Sequence, residues 1–249
     1  MSGHSKWAQI KRSKGVLDAR RGQVFTKLAR EITVAARQGL PDPDANFRLR
    51  LAVQKAREAN MPTENIERAI KRAAGLEGGA AFEEITYEGY GPGGAAILVA
   101  VTTDNRNRAA AEVRSNFTRA GGSMGAAGSV AWLFEPKGVI VVEPKDKDPE
   151  EMALQAIDLG ADDVKTEDGS IEVYTEPSNL EEVREGIART GAEVLSAEAS
   201  MVPKTTVKLD DHAAIKVLKL MDRLEELDDV QKVYTNVDFS DEVLEHYAG

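Results

Sequence analysis

Apolar positions recur along the first third of this chain at helical spacing and along the rest in short alternating runs. From Leu17 to Gln38, Phe25, Leu28, Ile32, Ala35 and Ala36 fall on one side, which predicts a helix that Gly39 stops. Pro41 and Pro43 break the chain before Asn46 to Ala59, a second helix with Phe47 and Leu51 one turn apart. Thr63 reads as the N-cap of a third. Glu64 and Glu67 lie in its first turn, Ile66, Ile70 and Ala73 on its inner face, and Lys71 and Arg72 near the Gly75 end, where the helix dipole favours cations. Residues 1–75 therefore read as a small helical bundle with a basic leader.

Leu76 to Ala81, with two glycines, is the natural linker, and the texture then changes. Ile85 and Tyr87 alternate with polar residues, Ala96 to Val101 is a buried type of strand, Ala109, Val113 and Phe117 are spaced for a helix, and Val130 to Phe134 is strand-like. From Gly138 the predicted order is strand (Val139 to Val142), helix (Glu150 to Leu159), two strands around Asp168-Gly169, helix (Leu180 to Arg189) and strand (Val194 to Ser200). That βαββαβ series is a ferredoxin-like unit. The tail adds a helix, Ala213 to Leu227, and an alternating run at Val233, Thr235, Val237 and Phe239, which would complete the unfinished unit before it. The expected fold class is α+β: a basic helical domain at 1–75, a discontinuous α/β domain at 82–134 plus 205–239, and a ferredoxin-like domain at 135–204 inserted in it.

Composition narrows the chemistry. The 249 residues include no cysteine, which removes disulfides, thiolate metal sites and cysteine nucleophiles together. Met1 to Lys14 carries Lys6, Lys11, Arg12 and Lys14 with no apolar stretch behind them, unlike a secretory signal, and Ala95 to Val101 is too short to span a bilayer. A cytoplasmic protein with no membrane partner is expected.

Charge changes the picture more. The net charge of -10 is the sum of unlike parts: residues 1–75 hold 16 Lys and Arg against 7 Asp and Glu, and the remainder 16 against 35. A basic head on an acidic body points to a polyanionic partner, the acidic part limiting indiscriminate adsorption. Arg20, Lys27, Arg30 and Arg37 share an arc beside the apolar face of the first helix. The leader's Lys6, Trp7, Lys11, Arg12 and Lys14, followed by Arg20 and Arg21, combine phosphate-neutralising cations with an indole that either stacks a base or anchors the bundle.

Other motifs are weaker. Gly89, Gly91 and Gly94 match a dinucleotide-loop spacing, but a strand rather than a helix follows and Pro92 removes an amide, so a glycine-rich turn between strands is expected. Its residues Tyr90, Gly91, Pro92 and Gly93 could still contact a base. Asn105 or Asn107 can cap a helix from which Arg106 and Arg108 face a phosphate. His4, His212 and His246 are scattered, and acidic runs such as Glu225 to Asp229 lack calcium-loop spacing and read as solvated surface, so no metal site is expected. With no nucleophile, metal cluster or phosphate loop, no catalytic residue, cofactor or small-molecule substrate is expected either.

Five motifs in order, Gly3-His4-Ser5-Lys6-Trp7, Phe25-Thr26-Lys27-Leu28, Asp42-Pro43-Asp44-Ala45-Asn46, Tyr87-Glu88-Gly89-Tyr90-Gly91-Pro92-Gly93-Gly94 and Asp104-Asn105-Arg106-Asn107-Arg108, closely resemble the YebC/PmpR family over nearly the full length. The resemblance implies a cytoplasmic bacterial protein with a helical N-terminal domain and two α/β domains, described as a probable DNA-binding transcriptional regulator. Organellar members look like translational activators and some bacterial ones are linked to the ribosome, so the partner is DNA or, alternatively, rRNA or tRNA on the ribosome. The expected contact residues are Lys6, Trp7, Lys11, Arg12, Lys14, Arg20, Arg21, Lys27, Arg30 and Arg37, with Tyr90, Gly91, Pro92, Gly93, Arg106 and Arg108 on loops.

Overall fold

The computed structural model describes residues 21–73, 82–145, 147–167 and 170–248. Three helices lead, α1 (Arg21–Gln38), α2 (Phe47–Glu58) and α3 (Thr63–Ala73). They bury one another through Leu28, Ile32, Ala35, Leu49, Ala52, Val53, Ala56, Met61, Ile66 and Ala69. Asn46 builds the α1–α2 corner. Its Oδ1 accepts from the Leu49 amide at 3.1 Å, capping α2, while its Nδ2 donates to the carbonyls of Ala35 (2.9 Å) and Leu40 (2.8 Å). Thr63 is not the cap of α3: the Pro62 carbonyl accepts from Asn65 (2.9 Å) and Ile66 (3.3 Å), so Thr63 is already inside the first turn.

Two four-stranded antiparallel sheets follow. The first contains β1 (Glu83–Tyr90), β2 (Ala96–Thr103), β3 (Ser123–Met124) and, far along the chain, β8 (Val230–Thr235), in the order β3-β1-β2-β8. Helices α4 (Arg106–Arg119) and α7 (Asp211–Glu225) cover one face, where Ile97, Val99 and Val101 meet Val113, Phe117, Val217, Leu218 and Met221. The second sheet contains β4 (Phe134–Glu143), β5 (Asp163–Glu167), β6 (Ser170–Thr175) and β7 (Glu193–Pro203) in the order β5-β6-β4-β7, covered by α5 (Pro149–Asp158) and α6 (Leu180–Arg189). A final helix, α8 (Asp241–Ala248), packs on α7, and the Tyr247 hydroxyl donates to Asp222 at 2.8 Å.

One expected strand is not there. Of Val130 to Phe134 only Phe134 enters a strand, and Ala131–Leu133 forms a 3-10 turn. The amides of Gly128, Val130 and Ala131 donate at 2.6, 2.8 and 2.7 Å to the buried carboxylate of Glu88, so two of the amides a strand at 130–134 would offer a ladder are already committed. The glycine-rich segment does join β1 to β2: Gly93 and Gly94 take φ of 69° and 79° in a 3-10 turn, a left-handed backbone that glycine adopts without strain.

Candidate nucleic-acid interface

The structure separates the basic residues of the head into two environments. Gln23, Lys27 and Arg30, one turn apart along α1, meet the C-terminal end of α7. The Lys27 ammonium donates to the Glu225 carbonyl at 2.6 Å, Gln23 to the Glu226 carbonyl, and Arg30 to the Asp228 carbonyl and, at 2.8 Å, to the Asp229 carboxylate. The Glu225 and Glu226 carbonyls are among those a helix leaves unsatisfied, at the negative end of its dipole, and Asp228 lies in the turn just beyond, so cations belong there for structural reasons. Arg30 also lies over the Phe82 ring, 5.5 Å from its centroid.

Asp229 is the hub of this junction. Only 3% exposed, it accepts from Arg30, from the Thr103 hydroxyl at 2.8 Å, and from Arg108 at 2.7 Å, while Arg108 also reaches Asp104 at 2.9 Å. Burial alone would raise its pKa. The hydrogen bonds from Arg108 and Thr103 and the charges of Arg30 and Arg108 outweigh that and hold it below the usual carboxylate range. The run Glu225 to Asp229 is therefore not simply solvated surface: its last member is a buried tie among α1, β2 and α4. A second tie joins the head to β1, where Glu84 accepts from Gln38 at 2.9 Å and pairs with Arg48.

On α3 the picture is different. Between α1 and α3 lies an open groove of about 220 Å³, with Phe25, Thr26 and Ala29 on one wall and Met61, Asn65, Arg68 and Arg72 on the other. Arg68 and Arg72, four residues apart, share one face of α3, are exposed, and have no ion pair among the described residues. Their guanidinium groups thus line a concave, partly polar channel on the most basic part of the chain, the geometry that a phosphate chain requires.

The expected contact residues scatter accordingly. Lys6, Trp7, Lys11, Arg12, Lys14 and Arg20 lie outside the described residues, as does the side chain of Arg21. Lys27 and Arg30 are at the α7 junction. Arg37 is exposed but lies eight residues beyond Ala29, roughly 12 Å along α1 from the groove. On the loops, Gly91 and Pro92 are buried while Tyr90 and Gly93 are exposed, and a Cβ added to Gly93 would sit 2.8 Å from the Leu209 side chain. Asn105 is the cap of α4, accepting from the Arg108 amide at 3.1 Å, and Arg108 is committed to Asp229 and Asp104 while Arg106 is exposed. Nothing in the sequence singles out Arg68 and Arg72 for the groove, because their spacing also suits an ordinary solvated helix end.

Among the described residues no three His, Asp or Glu side chains gather as metal ligands would, and no helix is long and apolar enough to cross a membrane.

Comparison with known proteins places this architecture. Residues 5–76 match the model of the TACO1/YebC protein N-terminal domain, and residues 82–237 that of the TACO1/YebC second and third domain. A probable transcriptional regulatory protein of Dehalococcoides mccartyi strain CBDB1 is 55% identical over 247 residues, covering 99% of this chain and 98% of that one. Another, of Herpetosiphon aurantiacus, is 54% identical over 249 residues, covering 100% and 99%. The crystal structure of a conserved hypothetical protein, Aq1575 of Aquifex aeolicus, superposes with a TM-score of 0.82 at 49% identity, over 92% of this chain and 94% of that one. With both parts of the molecule matched in order and relatives alike from end to end, the chain belongs to the TACO1/YebC family.

Proposed function

We propose that this chain is a non-enzymatic, cytoplasmic regulator that binds DNA through its helical head and so controls transcription. The observation that carries this reading is the α1–α3 groove: two arginines with no ion pair among the described residues line it, on a head with 16 basic and 7 acidic residues. The leader cations Lys6, Lys11, Arg12, Lys14 and Arg20 would extend the same contact. The acidic body keeps such a surface from binding every polyanion equally. The names carried by the relatives, probable transcriptional regulatory proteins, agree with a regulatory role.

We also infer that the chain divides into a head at 1–75, a discontinuous α/β domain at 82–134 plus 205–239, and an inserted ferredoxin-like domain at 135–204, β4 beginning one residue before the last boundary. The β5-β6-β4-β7 order with α5 and α6 on one face supports that last reading.

Replacing Lys11, Arg12, Lys14 and Arg20 together by Glu, and separately Arg68 and Arg72 by Glu, should each weaken DNA binding while far-UV circular dichroism stays unchanged. Undiminished affinity in both folded variants removes the head from the mechanism. Sequencing of DNA cross-linked in cells, set beside co-sedimentation with ribosomes, tests DNA as the target.

A further inference from the structure

One end of the first sheet carries two exposed aromatic rings that the head does not use. Tyr90, the last residue of β1, is 41% exposed, and Trp132, in the 3-10 turn before β4, is 65% exposed. Both donate to one acceptor: the Tyr90 hydroxyl reaches the Ser129 carbonyl at 3.0 Å and the Trp132 indole N–H reaches it at 3.1 Å. That carbonyl is fixed in turn. The Glu88 carboxylate holds the amides on both sides of it, at Gly128, Val130 and Ala131, and the Gly125 amide donates to the Glu88 carbonyl at 2.8 Å. With their polar ends satisfied, the rings present their faces to water from fixed positions, and little side-chain entropy remains to be lost when something stacks on them.

The surroundings define what would stack. Between positions 121 and 129 every residue except Met124 is Gly, Ala or Ser, and Met124 packs on the core beneath the sheet, so this segment lays no bulky group over the rings. Lys204 lies across from Leu133, its amide donating to the Leu133 carbonyl at 2.8 Å, and its side chain is exposed with no ion pair among the described residues. An apolar partner side chain would need a continuous dry surface. Here small residues flank the rings and the backbone of exposed Lys204 is bonded to the residue after Trp132, a setting that suits a flat heteroaromatic ring joined to an anion.

We propose that Tyr90 and Trp132 form a stacking platform for an unpaired nucleobase, with Lys204 placed for the adjoining phosphate. The inference rests on the nucleic-acid reading above and adds a class of substrate to it. Bases inside a duplex have both faces covered, so this platform selects single strands, frayed ends or flipped-out nucleotides.

Trp7 and Trp132 are the only tryptophans. In the full-length chain carrying Trp7→Phe, Trp132 is therefore the sole indole fluorophore, and all comparisons are made within that background. Titration at low salt with a short single-stranded DNA should quench its emission, and the blunt duplex of the same sequence should not. Tyr90→Ala and Trp132→Ala should each bind the single strand roughly tenfold to a hundredfold more weakly, with duplex affinity unchanged, and Trp132→Phe should keep most of the affinity. Equal quenching by the duplex, quenching by an apolar peptide in place of DNA, or unchanged single-strand affinity in Trp132→Ala overturns the platform. If Trp132→Ala fails to fold, the quenching comparison and Tyr90→Ala decide. Binding of the duplex without a response of Trp132 to the single strand sinks the platform alone, whereas failure to bind either polymer sinks the nucleic-acid reading and the platform with it.

Discussion

Lys27 and Arg30 on α1 and Arg68 and Arg72 on α3 belong to the same basic head, yet the fold uses them in opposite ways. The first pair is committed to the last carbonyl of α7, a carbonyl of the turn beyond it and the buried carboxylate of Asp229. The second lines an open groove with no counter-charge among the described residues. A run of cations thus has two physical outlets, one that ties helices and strands together and one that stays open to an external anion. Only burial and partner geometry tell them apart.

The largest expected effect is at the tie. Asp229→Ala leaves two arginines facing a hole where their anion was, and should cost about 3 kcal/mol in denaturant unfolding, the low end for a broken buried pair because Arg108 keeps access to water. A loss near zero would mean that the junction is ornamental. Reversing Arg68 and Arg72 to Glu should do the converse: stability within about 0.5 kcal/mol of the parent, DNA affinity down at least tenfold, and a salt slope shallower by roughly 1.8 for two lost phosphate contacts. If instead the double variant unfolds easily and binds normally, the two sites have been assigned the wrong way round.

Acid sharpens the contrast. Asp229 and Glu88 both have folded pKa values below their ordinary ones: burial pushes each up, but hydrogen bonds to the carboxylate, joined at Asp229 by the two arginines, pull further down. Groups depressed in this way contribute stability that is complete above their unfolded values, about 3.9 for Asp and 4.3 for Glu, and that is lost as the pH falls through the folded values. The unfolding midpoint should therefore fall below about pH 4, and Asp229→Asn should flatten part of that fall. A parallel pH profile in the variant would exclude Asp229 as a source. The smallest effect is expected for Lys27→Met, which removes one charge from the negative end of α7: about 0.5 to 1 kcal/mol of stability, with DNA affinity unchanged. A marked loss of affinity would return Lys27 to the interface.

Much of the fold was legible because burial is periodic. Leu28, Ile32 and Ala35 mark α1, and the alternation at Val233 and Thr235 marks β8 although its partner β2 lies more than a hundred residues earlier. What escaped has identifiable causes. Ser123–Met124 is too short a strand to show alternation, and the amides at 130 and 131 are taken by Glu88, forty-odd residues upstream, which no local pattern reveals. Trp132 was read as part of a strand, when the turn leaves it standing in solvent. The site was less legible than the fold. Charge segregation located the head, but Lys27, Arg30 and Arg68 look alike in one dimension, and only the arrival of the α7 end against α1 separates them.

The most direct test is the salt dependence of DNA affinity for the intact chain. With about six cations of the head on phosphates, log affinity should fall against log salt with a slope of roughly -5. Binding that ignores salt, or no binding at low ionic strength, contradicts the account.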